Sequence, residues 1–405
     1  MADARQLPAA RLLIITTNFP RWEGDPHSPW LVELLSLLRQ RGLEIEILAP
    51  AYGGQGSHVV HGLRVHRFRY APARWETLTH DEGAPNKIRR NPRYLLLLPG
   101  YLLAGALAAA RLGRSGRHNI LHVHWPMPQG LLGLIAHWAG GGRLVATFYG
   151  ADLVMSRRFK VVQPLVRSFA RRCADVAAIS SFTAREVEQS TGVTPRVIPY
   201  GIAMPGGDTE WPAQPGMILT VGRLVARKGH AYLIEAMARL DAPDAHLVIV
   251  GEGHERPDLE DEVRTLHLEE RVTFAGRVSD AELNRLYQAC QIFVLPAIVD
   301  SSGDTEMLGM VSLEAMRYRK PVVATRVGGI ADIVQDGATG LMVEQRDADA
   351  LAAAVDRLLA DPDLANQLGQ AGYQYACDHF SWQAVMEQTL ALYGLSQDTI
   401  HATTN

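Results

Sequence analysis

Cysteine is scarce in this 405-residue chain. Cys173, Cys290 and Cys377 are isolated, odd in number and in no metal-ligand or redox spacing. That excludes a disulfide-built secreted scaffold and a cysteine-held zinc, and it points to a reducing compartment. Net charge is only −3, so no global basic field favours nucleic acid as a partner. The opening MADARQLPAARLLIITT holds one short apolar run and reads as a first buried strand, not a signal peptide. A full dinucleotide glycine fingerprint is also missing. "VGEG" at 250–253 stops short of it, which argues against an NAD dehydrogenase. What remains is a cytoplasmic protein with enough chain for two or three cored domains.

Short apolar strands alternate with amphipathic helices over almost the whole length. The first half gives strands at 11–17, 43–50, 63–69, 119–125, 143–148 and 175–180. Such Val-, Ile- and Leu-rich strands, separated by helices, mean a parallel sheet covered on both faces. The stretch YGIAMPGGDTEWPAQPG, 200–216, breaks the pattern with prolines and glycines and reads as a linker. A second alternation follows, with strands at 217–223, 246–253, 271–276, 291–297, 321–329 and 340–344. The pattern predicts a first α/β domain over 1–202, a linker over 203–216 and a second α/β domain over 217–378. The last segment, 379–405, is expected to cross back to the first domain. Open sheets of this kind bind ligands at the carboxyl ends of their strands, so the expected site is a cleft between the domains.

One segment departs from this even texture. KIRRNPR, 87–93, carries four basic side chains and no acid, and YLLLLPGYLLAGALAAARL follows over 94–112. The run approaches the length of a membrane span, but Pro99, Gly100 and Gly105 interrupt it. Two readings stand: a pair of buried helices under the sheet, or a basic, apolar flank of 87–112 that docks on an anionic membrane face.

The chemistry concentrates in the second half. VGRLVARKG, 221–229, places Arg223 and Lys228 in a strand-to-helix loop, where one planar and one point cation suit a diphosphate. GDTEMLGMVSLEAM, 303–316, sets Glu306 and Glu314 eight positions apart with Gly309 between them. Gly309 argues against one unbroken helix, so the expectation is a loop carrying Glu306 and a helix from Met310 carrying Glu314 in its first turn. The backbone N–H groups of Gly309, Met310 and Val311 would then form an anion site. Glu314 can accept from a ribose diol, or merely compensate the helix dipole. DAD at 347–349 imitates an Asp-x-Asp metal motif, but it opens a helix and reads as an N-cap. His122 and His124 alternate on one strand face with no third ligand in sight. No metal site is expected.

Together, GRLVARKG, the Glu306/Glu314 pair, PVVATRVGGIADIVQDGATGLMV and the closing FSWQAVMEQTLALY resemble the retaining GT-B glycosyltransferases of family 4. The resemblance covers essentially the whole chain and is strongest over 217–345. It implies a GT-B fold, two Rossmann-like doubly wound domains facing across a cleft. It further implies that Arg223 and Lys228 hold the diphosphate of a sugar nucleotide and that Glu314 binds the ribose. Backbone near Arg277 and Val278 would meet the base, and Glu306 would face the donor sugar. No cofactor is implied beyond the nucleotide sugar itself, because cations and a helix start replace a metal.

The first domain departs from the family pattern twice. In TFYGADL, 147–153, Tyr149 stands in the slot where a histidine is common, and Asp152 remains. Tyrosine can donate a hydrogen bond but cannot carry a proton near neutral pH. In NFPRWEGDPHSPW, Ser28 and Pro29 stand where paired glycines are common, and Gly24 is the nearest glycine. In the donor loop, Met307 and Leu308 replace a small residue and a phenylalanine, which alters the wall beside the sugar.

The implied activity is retaining, metal-independent hexosyl transfer from a nucleotide sugar to a sugar or lipid-linked acceptor, in polysaccharide, cell-envelope or glycolipid synthesis. Rival readings on the same fold are a nucleotide-sugar epimerase, a disaccharide phosphorylase and a non-catalytic sensor of sugar nucleotides.

Overall fold

The computed structural model describes residues 10–25, 27–80, 84–150, 153, 162–204 and 213–395. The chain forms two compact units. The first holds 1–179, 183–198 and 385–405; the second holds 180–182 and 199–384. The expected linker lies mostly outside the described residues, at 205–212.

In the first unit the strands are β1 (Arg11–Ile15), β2 (Glu44–Pro50), β3 (His58–Val60), β4 (Leu63–Phe68), β5 (Ile120–His124), β6 (Arg143–Phe148), β7 (Asp175–Ala178) and β8 (Arg196–Val197). They lie side by side in the order β3-β4-β2-β1-β5-β6-β7-β8. All pairs are parallel except β3 with β4. Sequence pattern does not predict β3 or β8. Both are short and at the edges, where exposed side chains weaken the period-2 signal. The central strands read as unbroken apolar runs because helices cover both faces. Leu12, Leu13, Ile14 and Ile15 are all fully buried, each contributing roughly 1.5–3 kcal/mol by area removed from water.

The second unit holds β9 (Met217–Val221), β10 (His246–Val250), β11 (Val272–Gly276), β12 (Ile292–Leu295), β13 (Val322–Thr325) and β14 (Leu341–Val343), all parallel, in the order β11-β10-β9-β12-β13-β14. Counted from β9, that is 3-2-1-4-5-6, the Rossmann order. Its strand order reverses between β9 and β12, and a crevice opens where the loops after those two strands diverge. The first sheet reverses in the same way between β1 and β5. Each unit thus has one switch point, and the residues of interest can be sought there.

Of the two readings of 87–112, the pair of buried helices is corrected, since the longer helix is buried on one face alone. A short helix, Ala84–Arg90, and a 3-10 stretch, Pro92–Leu97, lead into the longer helix Leu98–Arg114. Only one face of that helix is buried, through Tyr101, Gly105, Ala109 and Gly113. Leu96, Leu103 and Leu107 are 80%, 64% and 65% exposed. Pattern reasoning fails because an apolar helix with small residues on one face packs by that face and leaves its leucines outside. Among the described residues, Pro92–Arg114 is the one helical stretch long and apolar enough to cross a membrane by length and composition.

The last helix, Trp382–Tyr393, ends in the first unit. There the Tyr393 hydroxyl meets Nδ1 of His122 on β5 at 2.9 Å, and Arg143 Nε donates to the Leu392 carbonyl at 3.4 Å.

Candidate active site

The switch point of the second sheet gathers charge. The loop after β9 turns through a short 3-10 segment, Ala226–Lys228, and aims Lys228 inward, 8% exposed. The loop after β12 carries Glu306. Lys228 Nζ donates to the Glu306 carboxylate at 2.6 Å, and Arg227 Nη1 reaches the same oxygen at 3.2 Å. Arg227 also lies 3.5 Å from Asp304. Burial pushes the Glu306 carboxyl upward, but the two neighbouring cations outweigh it and hold it below the ordinary carboxylate range. Glu306 is therefore a fixed anion.

Glu314 differs. It sits in the second turn of the Met310–Met316 helix, whose first turn holds no acid. Its expected first-turn place and the dipole reading fall with that. Tyr287, from the Asp280–Ala289 helix, donates to Glu314 at 2.7 Å. Burial nevertheless raises the Glu314 carboxyl above its usual range. The two acids thus have separate partners and opposite shifts, as their division by Gly309 suggests. Gly309 itself has φ +88°, which a side chain would resist, and it opens the helix so that the N–H groups of Met310 and Val311 sit at its start.

A glycine pair after β13 holds the acid loop in place. Gly329 N donates to the Glu306 carbonyl at 3.0 Å. A Cβ on Gly328 would lie 1.8 Å from that carbonyl oxygen, and one on Gly329 would lie 2.1 Å from the Met307 oxygen. Neither position has room for a side chain. Leu308 is 2% exposed and packs in the core with Leu313, Ile330 and Val334. The expected alteration of the sugar wall therefore does not include Leu308.

The other predicted donor residues lie on loops at the same strand ends. Arg223 is exposed after β9; Arg277 is exposed after β11, with Val278 half-buried against the core. The structure joins Lys228 to Glu306 directly and joins neither Arg223 nor Arg277 to them. Sequence reasoning missed Arg227, although it adjoins Lys228 in ARKG. It also missed Tyr287, which no local signal links to a glutamate 27 positions on.

The switch point of the first sheet gathers aromatic rings. His124 ends β5, Trp125 follows it, Tyr149 follows β6 and Trp30 opens the Pro29–Gln40 helix. Trp125 stacks on Tyr149 with centroids 4.4 Å apart, and Trp30 lies 5.2 Å from Tyr149. His124 Nδ1 and the Tyr149 hydroxyl are 2.5 Å apart. Tyr149 is 6% exposed, so it serves as a buried wall with its hydroxyl turned onto His124. Burial lowers His122 to about 3 and pushes His124 well below the ordinary range, and both are neutral near pH 7. His122 is used up in the fold, between Tyr393 and Thr147 Oγ1. Asp152 lies outside the described residues.

Two non-glycine residues with left-handed backbone flank this switch point. Ser28 and Trp125, both at φ 51°, start the helices after β1 and β5. Such strain persists where the surroundings over-determine it, and it favours a functional surface here. The loop after β1 is further stapled by Asp25, which accepts from Arg21 Nε at 2.7 Å and lies 2.6 Å from His27 Nδ1. Burial works against that carboxylate, yet the Arg21 and His27 bonds hold Asp25 far below its ordinary range. A salt-bridged loop stands where paired glycines are common. Among the described residues, no group of three or more His, Cys, Asp or Glu is placed to hold a metal. Asp347 of the DAD motif caps its helix by accepting from Ala350 N at 2.8 Å.

Comparison with known proteins agrees with this architecture. Residues 30–204 match the family described as Glycosyltransferase Family 4, and residues 207–375 match Glycosyl transferases group 1. A GDP-mannose-dependent alpha-(1-6)-phosphatidylinositol monomannoside mannosyltransferase of Mycolicibacterium smegmatis is 31% identical over 92% of this chain and 95% of its own length. An alpha-maltose-1-phosphate synthase of the same organism is 36% identical over 47% of this chain and 52% of its own. Sucrose-phosphate synthase of Thermosynechococcus elongatus superposes with a TM-score of 0.73 at 24% identity, covering 95% of this chain and 98% of its own. Anabaena HepE, solved with UDP and glucose, gives 0.66 at 18% identity, over 95% and 99%. The structural likenesses carry the two-domain GT-B fold.

Proposed function

The chain belongs to the family 4, group 1 glycosyltransferases of GT-B fold, and we propose that it moves a hexose from a nucleotide diphosphate to an acceptor hydroxyl, retaining the anomeric configuration and using no metal. One observation carries the reading: the Lys228–Glu306 pair at the switch point of the second sheet, 2.6 Å apart. A cation and a fixed anion side by side suit a substrate that is anionic at one end and hydroxylated at the other.

In this reading the bond between the sugar C1 and the diphosphate oxygen breaks. The acceptor oxygen bonds to C1 on the same face, and its proton passes to the departing phosphate. Negative charge grows on the leaving group during that step, and preorganised donors stabilise it most where water is excluded. Lys228, Arg223 and the N–H groups of Gly309, Met310 and Val311 take that role. Glu306, already ionised, accepts from a hydroxyl of the donor sugar, and Glu314 accepts from the ribose. Backbone near Arg277 and Val278 meets the base. Tyr149 borders the acceptor, and the resemblance gives Asp152 a role on the acceptor side. The neutral states of His122 and His124 support proton transfer to the phosphate, since neither histidine is poised to carry the proton.

The relative from Mycolicibacterium makes GDP-mannose the first donor to test and a glycolipid hydroxyl the first acceptor; UDP-glucose, with which HepE was also solved, is the second donor to test. A thermal-shift screen of GDP-, UDP- and ADP-sugars should show one base raising the melting temperature. Product formed with that donor in the presence of a chelator, with the anomeric configuration read by proton NMR, completes the test. No shift from any sugar nucleotide overturns the donor assignment, and an inverted product overturns retention.

A further inference from the structure

We propose that the outer surface of one helix layer of the first unit docks on a membrane bearing anionic headgroups. The observation is an imbalance. The exposed large hydrophobic side chains among the described residues number eleven, from Trp22 to Val197, and every one lies in the first unit. A scattered leucine on a surface needs no explanation, but a concentration of them does.

The densest part is the helix Leu98–Arg114 with the 3-10 stretch before it. Its inner face is built from small residues. A Cβ on Gly105 would meet Leu132 at 2.8 Å, and one on Gly113 would meet the Ala136 carbonyl oxygen at 2.4 Å. These glycines let the helix lie tightly along the neighbouring helix, Pro126–Gly140. Close packing on that side turns Leu96, Leu103 and Leu107 outward in one stripe. The neighbouring helix adds Leu131 and Trp138, 45% and 65% exposed, to the same layer. A contiguous apolar stripe that stays wet promotes association, so its retention calls for a partner.

Charge identifies the partner. From Lys87 to Arg117 the chain has seven basic residues and no acidic one. Arg93 before the stripe and Arg111, Arg114 and Arg117 after it are all exposed. Lys87 is buried and donates to the Thr77 carbonyl at 2.7 Å. A helix with leucines along its outer line and arginines at both ends matches a bilayer interface, where apolar side chains enter the acyl boundary and cations meet anionic lipid. A protein partner would favour a mixed rim with acids as well. The proposal stands apart from the transfer reading, because it concerns a surface that holds none of the residues assigned to the donor.

The test is co-sedimentation of the full chain with vesicles of phosphatidylcholine alone and of phosphatidylcholine mixed with phosphatidylglycerol. Wild type should bind the mixed vesicles and release at high salt. Two variants probe the face: Leu96→Gln/Leu103→Gln/Leu107→Gln, and Arg93→Glu/Arg111→Glu/Arg114→Glu. Each should weaken binding about tenfold or more, while melting temperature and the shift given by a sugar nucleotide stay at wild-type values. If the leucine variant loses its fold, the charge variant decides alone, since its side chains are exposed. Equal binding to neutral and anionic vesicles overturns the proposal, as does no binding to either. A wild-type dimer that the leucine variant turns into monomer, without vesicle binding, assigns the face to a second copy and overturns it as well.

Discussion

Lys228 and Glu306 reach each other from the two loops that diverge at the switch point, with Nζ 2.6 Å from the carboxylate. Their side chains are 9% and 14% exposed, so each depends on the other for the water it has lost. A pair buried to this degree is costly to break, because the remaining charge stays uncompensated.

Lys228→Met is therefore expected to destabilise the second unit by roughly 3 kcal/mol, at the low end because Arg227 still contacts Glu306 at 3.2 Å. The pH dependence has a definite sign. The Glu306 pKa is held below its usual 4.5, so its contribution is present above that pH and fades as pH falls through the folded value. The variant's deficit should be largest at neutral pH and shrink in acid, measured by urea unfolding at both. A deficit that does not change with pH would mean that packing, not charge, is lost. Donor-induced thermal shift should fall as well, because Lys228 also serves the diphosphate.

Tyr287→Phe separates Glu314 from Glu306. The hydroxyl that donates to Glu314 at 2.7 Å disappears, a bond to an ionisable group worth roughly 1.5–3 kcal/mol. Glu314 already sits above its usual 4.5, so it favours the fold below that pH and withdraws the contribution as pH rises through the folded value. Loss of the tyrosine hydroxyl raises it further. The variant should be near wild type in acid and weaker at neutral pH and above. In steady-state assays the donor KM should rise about tenfold with kcat less affected, since roughly 1.4 kcal/mol of ground-state binding corresponds to that factor. A change confined to kcat would remove Glu314 from donor binding.

How much of this was legible beforehand follows from where each signal resides. Local signals carried well: Gly309 announced a break and the helix does begin at Met310, and the buried strands announced parallel sheets. Lys228 and Glu306 were each visible, but not their ion pair. It joins residues 78 positions apart, and only the strand order brings the two loops together. Tyr287 was hidden for the same reason. Tyr149 was visible as a departure, but its hydroxyl's turn toward His124 depends on the pairing of β5 with β6. The outward leucines of Leu98–Arg114 stayed between two readings, because composition cannot tell which face of an apolar helix is covered.

Gly329→Ala tests the support of the acid loop without touching any charged group. The added Cβ would lie 2.1 Å from the Met307 carbonyl oxygen and 2.8 Å from Ser180 Cβ. Backbone cannot retreat as a flexible side chain can, so the loop carrying Glu306 must shift. Overpacking of this kind costs typically about 1–3 kcal/mol. Transfer should drop by more than stability alone explains, because a misplacement of about 1 Å at a reacting site costs roughly a hundredfold. Assays well below the melting temperature separate the two effects. Full activity in this variant would show that the Gly328–Gly329 turn does not set the position of Glu306.

His122→Leu bears on the seam between β5 and the carboxyl-terminal helix. His122 bridges Tyr393 and Thr147, at 2.9 and 2.8 Å, and both hydroxyls lose their partner when it goes. Each buried orphan costs about 1–3 kcal/mol, so the first unit should lose several kcal/mol and its last helix should become open to limited proteolysis. Tyr393→Phe removes one of the two bonds and should cost about 1 kcal/mol. Acid adds a second signature. Burial lowers His122 from 6.5 to about 3, so its contribution is present above 6.5 and is lost as pH falls toward 3. Wild type should therefore weaken steadily between those values, and the leucine variant should weaken less over the same range. Equal acid slopes in urea unfolding would mean that His122 is not held neutral by the fold. That result would also reopen the strand histidines as proton carriers, a role that their burial beside Tyr393 and Tyr149 otherwise denies them.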